Sequence, residues 1–328
     1  MTETSRRQFF AYSAALLVAP LAAEGQPTRT VRIGYLSGNP PSDTRDALAG
    51  FRTKLRDLGY VEGRNLLIDV RYADGKYDRL LDLAADLVRL NVDLIFSYGT
   101  PGSLAAKNTT RTIPIVFGGV ADPLGVGLVA ALTRPGANVT GVMSNNPELS
   151  GKRLSLLKEA IPGVSRVAVL ANPDFTPTAS MVADTRLAAE SLGLELQIVD
   201  ARTPQEITNA FEAIKTARVN ALAVLVDPMF IAQRQWIAQL AMKSRIPTIY
   251  HLRQFVEAGG LISYGVDYTE AFQQSAVLVD KILKGSKPAD LPVEQPWRFP
   301  LVINLKTAKA LGLTIPPSLL ARADQVIE

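Results

Sequence analysis

The chain of 328 residues contains no cysteine and one histidine, His251. The lack of cysteine excludes disulfide bonds, thiolate zinc sites, iron–sulfur clusters, a cysteine nucleophile and a diacylglyceryl lipoprotein anchor. A single histidine excludes a multi-histidine metal site and leaves one imidazole for acid–base chemistry. We therefore expect a function that needs no cofactor and no metal, and we expect His251 to be structural.

Charge of one sign is not concentrated anywhere in the chain. Lys and Arg number 35 against 31 Asp and Glu, for a net charge of +4, and the basic residues are dispersed. A nucleic-acid-binding protein clusters its basic residues on one element, so we predict no nucleic acid partner. The hydrophobic content of 47% excludes a disordered chain.

Residues 1–25 have the pattern of an export signal. Arg6 and Arg7 precede an apolar run over residues 11–23, which ends in small residues. This run is shorter than the roughly 20 residues that span a bilayer. The arginine pair resembles the twin-arginine type of signal. We predict cleavage after Gly25 and a mature periplasmic protein without a lipid anchor.

From Val31 onward, short apolar runs alternate with amphipathic stretches, which is typical of a parallel sheet covered by helices. The first run predicts a strand, Asp43 predicts the cap of the next helix, and Gly59 predicts the end of that helix. Further strands are predicted at residues 68–72, 92–97, 113–117, 139–143, 246–250 and 261–263.

The two halves of the chain are similar to each other. Residues 32–36 match residues 166–170, and residues 92–101 match residues 219–228. Each half has the same order of elements with nearly constant spacing, which indicates a duplicated architecture. We predict an α/β fold of two doubly wound parallel-sheet lobes that face each other across a cleft.

In doubly wound sheets, ligands bind outside the carboxyl ends of the strands. Six loops qualify: 37–43, 98–103, 118–123, 172–176, 227–230 and 264–268. Several of them open helices, whose free N–H groups and dipole favour an anion such as a carboxylate. The candidate ligand-binding residues are Ser37, Asn39, Thr100, Pro101, Asp122, Asn172, Phe175, Asp227, Phe230 and Asp267.

Several of these residues also fit ordinary structural roles. Asp122 and Asp227 precede proline and Asp267 precedes a predicted helix, so each fits an N-cap. Phe175 and Phe230 fit core packing as well as ligand stacking. The sequence leaves both roles open at each position.

Sequence motifs of enzymes are missing. Residues 125–130 superficially fit a dinucleotide-binding fingerprint, but we expect Asp122 and Pro123 to begin a helix, so these glycines do not follow a strand directly. The sequence contains no G-x-S-x-G, phosphate-binding-loop or H-E-x-x-H motif. We predict that the protein is not an enzyme.

Several longer motifs carry a resemblance to a known family. They are residues 59–65 (GYVEGRN), 112–117 (TIPIVF), 121–123 (ADP), 134–141 (RPGANVTG), 148–153 (ELSGKR) and 287–296 (KPADLPVEQP). Together they resemble the ABC-transporter substrate-binding family that includes tryptophan- and tyrosine-binding periplasmic proteins. The resemblance covers residues 29–328.

The resemblance implies a type I periplasmic binding fold whose lobes are joined by a hinge of three chain crossings, near residues 143–145, 264–267 and 290–292. One lobe then consists of residues 26–143 and 267–290, and the other of residues 144–266 and 291–328. Ligand contacts are implied for Thr100, Asp122, Asn172, Asp227 and Asp267.

The implied function is the solute-binding component of an ABC importer. It closes around a small carboxylate-bearing ligand, an aromatic amino acid or a related organic acid, and presents the closed form, as a monomer, to a permease in the inner membrane. The alternative is a sensory binding protein that delivers the same closed form to a membrane receptor.

Overall fold

The structure is a computed structural model that describes residues 30–144 and 147–328. The predicted export signal therefore lies outside the described residues. Over the two described ranges, no helix is both long and apolar enough to cross a membrane. The strands form two sheets. We call each sheet with the helices packed on it a lobe.

The first lobe contains β1 (Val31–Ser37), α1 (Pro41–Asp57), β2 (Leu66–Tyr72), α2 (Leu80–Arg89), β3 (Leu94–Tyr98), α3 (Gly99–Thr109), β4 (Ile115–Val120), β5 (Val139–Met143) and, from farther along the chain, α10 (Tyr268–Leu283). The second lobe contains α4 (Pro147–Ala160), β6 (Arg166–Ala171), α5 (Thr178–Leu192), β7 (Glu195–Asp200), α6 (Pro204–Thr216), β8 (Ala221–Val224), α7 (Pro228–Ala232), α8 (Arg234–Lys243), β9 (Thr248–Tyr250), α9 (Arg253–Glu257), β10 (Ile262–Tyr264), β11 (Leu301–Asn304), α11 (Leu305–Leu311), α12 (Pro317–Leu320) and β12 (Gln325–Ile327). Short 3-10 helices lie at Tyr77–Arg79 and Pro288–Asp290.

The two sheets share one strand order. The first is β2-β1-β3-β4-β5, and the second contains β7-β6-β8-β9-β10 in the corresponding order. All neighbours in these two sets are parallel. The second sheet is extended by β11, antiparallel to β10, and by β12. The predicted α/β fold with two parallel-sheet lobes is confirmed.

The core of the first lobe is an aromatic cluster between the sheet and two helices. Phe51 of α1 stacks on Phe96 of β3 with ring centroids 4.2 Å apart. Phe272 of α10 meets the same ring edge to face at 4.8 Å. All three side chains are fully buried. This packing fixes α10 to the first lobe although it follows β10 of the second lobe in sequence.

The chain passes between the lobes three times: after β5, after β10 and before β11. The third passage was predicted near residues 290–292, and the backbone contacts of Glu294 indicate where the chain leaves the first lobe. The Glu294 N–H donates to the Gly141 carbonyl at 2.9 Å, and the Glu294 carbonyl accepts the Met143 N–H at 3.0 Å. Residues up to 294 therefore satisfy backbone groups on the free edge of β5, and the chain leaves the first lobe only afterwards.

Two local predictions are wrong. Asp43 does not cap α1: the N-cap position is Pro40, and the Asp43 carboxylate instead accepts a hydrogen bond from Arg234 of the second lobe. Asp122 and Pro123 do not begin a helix, because the chain forms turns here, in which Asp122 Oδ1 accepts the Gly125 N–H at 2.8 Å.

Replacing Phe272 by alanine should destabilise the first lobe by about 3–5 kcal/mol, because it removes the ring that joins α10 to the sheet. Urea unfolding followed by circular dichroism measures the change. Leu187→Ala is the control, since that side chain is 66% exposed. Equal stability losses in the two variants would contradict this account of the core.

Candidate functional site

A cleft lies between the lobes where the carboxyl ends of the parallel strands face each other. Its volume is about 700 Å³, and it narrows to an inner pocket of about 30 Å³. The volume of the cleft is within the range of small-molecule binding sites. The first lobe lines the cleft with Asn39, Tyr77, Thr100 and Pro101, and the second with Asn172, Phe175, Asp227 and Met229.

The wall from the first lobe is built on the start of α3. Thr100 lies in the first turn of this helix, whose N-cap residue, Tyr98, makes no side-chain hydrogen bond to it. The unpaired N–H groups and the helix dipole therefore make this end of the cleft attractive to an anion. Ser103 Oγ donates to the Gly99 carbonyl at 2.7 Å and fixes the turn from inside.

The wall from the second lobe carries a buried carboxylate. Asp227 is 2% exposed and caps α7, with Oδ1 accepting the Phe230 N–H at 2.9 Å. Asn172 Nδ2 donates to the other oxygen at 3.0 Å. Burial raises the pKa of Asp227 to about 6, against the hydrogen bonds from Phe230, Asn172 and Met229, which favour the ionised form. Asp227 therefore lines the cleft as a nearly buried carboxyl group whose hydrogen-bond partners are neutral.

The inner end of the cleft is closed by two tyrosine rings. Tyr98 and Tyr268 meet edge to face with centroids 5.3 Å apart. Burial raises the pKa of both hydroxyls, so both rings are neutral. Gly119 lies directly against them, and a Cβ at this position would lie 2.5 Å from Tyr268 Cε1. The glycine is required by this close approach as well as by its φ of +72°.

The structure brings six of the ten predicted residues to the lining of the cleft: Asn39, Thr100, Pro101, Asn172, Phe175 and Asp227. A seventh, Ser37, lies behind this wall. Its Oγ accepts the Asn39 N–H at 3.0 Å and donates to the Asn39 carbonyl at 3.1 Å. Ser37 therefore shapes the loop.

The remaining three predicted residues lie elsewhere. Phe230 is fully buried in the core of the second lobe, because the first turn of α7 directs it inward. Asp122 closes the turn at Gly125 and does not line the cleft. Asp267 caps α10, accepting the Thr269 N–H at 2.8 Å, and faces a separate chamber. Asp122, Phe230 and Asp267 therefore lie outside the lining of this cleft in the structure.

Sequence reasoning missed two cleft-lining loops. Tyr77 follows β2, and Arg202 follows β7. Both loops stand at the carboxyl ends of parallel strands, where ligands bind in doubly wound sheets. Applying this rule to every strand identifies both loops. Tyr268, the first residue of α10, was also missed as a lining residue.

Nothing in the described ranges is arranged as a metal site: no group of three or more His, Asp or Glu side chains is placed to hold an ion. His251 is 3% exposed and packs edge to face against Phe255. Burial, together with the nearby charge of Arg153, lowers the pKa of His251 to about 3. The imidazole is neutral and lies outside the cleft lining.

Two similar lobes with a ligand-sized cleft between them define the class of solute-binding proteins. The family model described as ABC transporter substrate binding protein matches residues 41–327. The chain belongs to this family, whose members are solute-binding proteins and not enzymes. A tyrosine-binding protein of Clostridioides difficile is 28% identical over 291 residues, which is 88% of this chain and 83% of the relative.

Two solved structures are also similar. The ABC domain from Streptococcus pneumonia in complex with L-Trp is 28% identical, with a TM-score of 0.86, and covers 91% of this chain and 100% of its own. The ligand-free, open structure of a substrate-binding protein with adhesive properties from Clostridium difficile is 26% identical, with a TM-score of 0.72, covering 91% and 99%.

Gly119→Ala should displace Tyr268 and reshape the inner end of the cleft, with a loss of stability of at least about 1 kcal/mol. Gly127→Ala is the matched control. It also has a positive φ, of 67°, but no atom lies within 4 Å of its added Cβ. Thermal unfolding and a crystal structure of each variant measure the effect. Equal destabilisation in both would show that backbone strain alone matters at Gly119.

Asp227→Asn should remove the loss of stability that the parent protein shows as pH rises from about 4 to about 6. The folded-state pKa lies above the ordinary value of 3.8, so the carboxyl contributes stability below about pH 4 that is lost as pH rises to about 6. Relative to the parent, the variant should gain up to roughly 3 kcal/mol between pH 4 and pH 7. Chemical unfolding across this range measures the gain. Asp174→Asn, exposed in the same cleft, is the control. A parent–variant difference that does not change with pH would contradict the assignment.

Proposed function

We propose that the protein is the periplasmic binding component of an ABC importer and that it carries an aromatic amino acid. The observation that supports this most strongly is the pair of opposed sites in the cleft. The buried Asp227 carboxylate stands on one wall and the N-terminus of α3 on the other. A zwitterionic ligand presents its positive charge to the Asp227 wall and its negative charge to the wall with the N-terminus of α3.

The proposed pose follows from these charges. The ligand carboxylate accepts hydrogen bonds from the first-turn N–H groups of α3 and from the Thr100 hydroxyl. The ligand ammonium donates to Asp227, which then gains the cation that its buried position lacks. The ligand side chain lies among Tyr77, Phe175 and Tyr98, whose rings offer edge-to-face contacts.

The relatives support an aromatic side chain. One relative is a tyrosine-binding protein, and one similar solved structure contains L-Trp. Three aromatic residues in this cleft provide the apolar surface that such a ring needs. We therefore favour L-tryptophan or L-tyrosine over small aliphatic amino acids.

Closure of the two lobes is the proposed mechanism. At near-equal identity, the chain has a TM-score of 0.86 with the L-Trp complex and 0.72 with the open, ligand-free structure, so its lobes are arranged more like those of the complex. A ligand that contacts both walls favours the closed arrangement over the open one by its differential affinity. The closed form is then recognised by the membrane permease.

The lobe boundaries are proposed to follow the sheets. One lobe consists of residues 30–143 and 267–294, and the other of residues 147–266 and 295–328. The three short connections between them form the hinge.

Titration calorimetry with L-tryptophan and L-tyrosine tests the proposal. Asp227→Asn keeps a capping side chain, so it should fold, and it should weaken binding of the amino acid by roughly tenfold or more. Binding should also weaken as pH falls below about 6, because Asp227 becomes protonated. Indole-3-propionate, which lacks the ammonium group, is the matched ligand control, and its binding should not depend on Asp227 in this way. Equal affinity of parent and variant for both amino acids would contradict the pose.

A further inference from the structure

One ion pair joins the two lobes away from the chain crossings. Arg234 Nη1, at the start of α8 in the second lobe, donates to Asp43 Oδ1, in the first turn of α1, at 2.9 Å. The Asp43 side chain is 4% exposed and that of Arg234 is 24% exposed. The contact is therefore largely withdrawn from water.

The other ion pairs among the described residues have different positions. Arg298 bridges Glu270 of α10 and Asp324 of the second lobe, but it stands on the third chain crossing itself. The rest join residues of the same lobe, as Arg32 and Asp69 do in the first lobe at 2.6 Å. Among these described pairs, the contact between Asp43 and Arg234 is the one that joins the two lobes at a distance from the chain crossings.

Both partners are attached to loops that line the cleft. Arg234 Nη1 also donates to the Ile231 carbonyl at 2.9 Å, and the Ile231 N–H donates to the carbonyl of Asp227. Asp43 follows the Asn39 loop of the opposite wall. The ion pair itself lines a chamber of about 80 Å³ that Tyr98 and Tyr268 separate from the cleft. The ion pair is therefore connected to both walls of the cleft, although neither of its residues lines the cleft.

We infer that the ion pair between Asp43 and Arg234 is a closing contact that sets the population of the closed form, and through it the ligand affinity. When the lobes separate, both charges become hydrated; when they close, each charge depends on the other. Loss of one partner leaves an uncompensated charge in the closed form only, which shifts the equilibrium toward the open form. This inference rests on the proposed function only in taking closure as the step that completes binding.

The absence of cysteine makes a direct distance measurement simple, because introduced thiols are the only labelling sites. Spin labels at Arg79→Cys and Gln205→Cys stand on exposed positions of the two lobes, next to the residues that line the cleft mouth. Pulsed electron spin resonance on the full chain without added amino acid then reports the closed and open populations.

In this labelled background, Arg234→Gln should lower the ratio of closed to open molecules by roughly tenfold. Arg32→Gln, which removes the pair within the first lobe, should leave the ratio unchanged. The double variant Asp43→Asn with Arg234→Gln should recover part of the loss, since two neutral side chains leave no unpaired charge. Circular dichroism verifies that each variant is folded.

Unchanged distance distributions in Arg234→Gln, or equal opening in Arg32→Gln, would overturn the inference, whichever amino acid the protein binds. A second readout uses L-tryptophan: its dissociation should be faster from Arg234→Gln than from the parent. If L-tryptophan does not bind at all, the proposed function fails, while the distance measurement still decides on the closing contact.

Discussion

The proposed binding site depends on a carboxylate that is buried before any ligand arrives. Asp227 is 2% exposed and is held by the Asn172 amide and the Phe230 N–H, which are neutral partners. Burial of such a charge costs free energy in the folded protein, and the same burial raises the pKa of Asp227. A cation that binds in the cleft removes the cost. In the function we propose, the ammonium group of the ligand is this cation.

The cost of burying the Asp227 charge links the stability of the fold to the proposed binding of a ligand between the two lobes. The strands end at the cleft, so the opposite wall offers the free N–H groups of α3 where the second lobe offers a carboxylate. A ligand with both charges at one end satisfies both walls only when the lobes are close together. Its binding free energy then stabilises the closed arrangement and the fold together. In the proposed pose, the tyrosine pair against Gly119 limits how deep the ligand reaches.

The fold was largely predictable because its signals are local and repeated. The bounds of β5 agree with the strand predicted at residues 139–143, and the duplicated motifs predicted two similar lobes. The site was predictable only to the level of loops. Phe175 and Phe230 occupy similar positions after strands, yet one lines the cleft and the other enters the core, since the direction of a helix turn decides this. Asp43 fits a cap in sequence, and its partner Arg234 is identified only when the two lobes are placed together.

The central claim is that a zwitterionic aromatic amino acid bridges the two walls of the cleft. A crystal structure of the protein with bound L-tryptophan or L-tyrosine tests this most directly. The account predicts the ligand ammonium within hydrogen-bond distance of Asp227, the ligand carboxylate at the first turn of α3, and the ring among Tyr77, Tyr98 and Phe175. A ligand in the chamber beside Asp43 and Arg234, or one whose carboxylate faces Asp227, would contradict it.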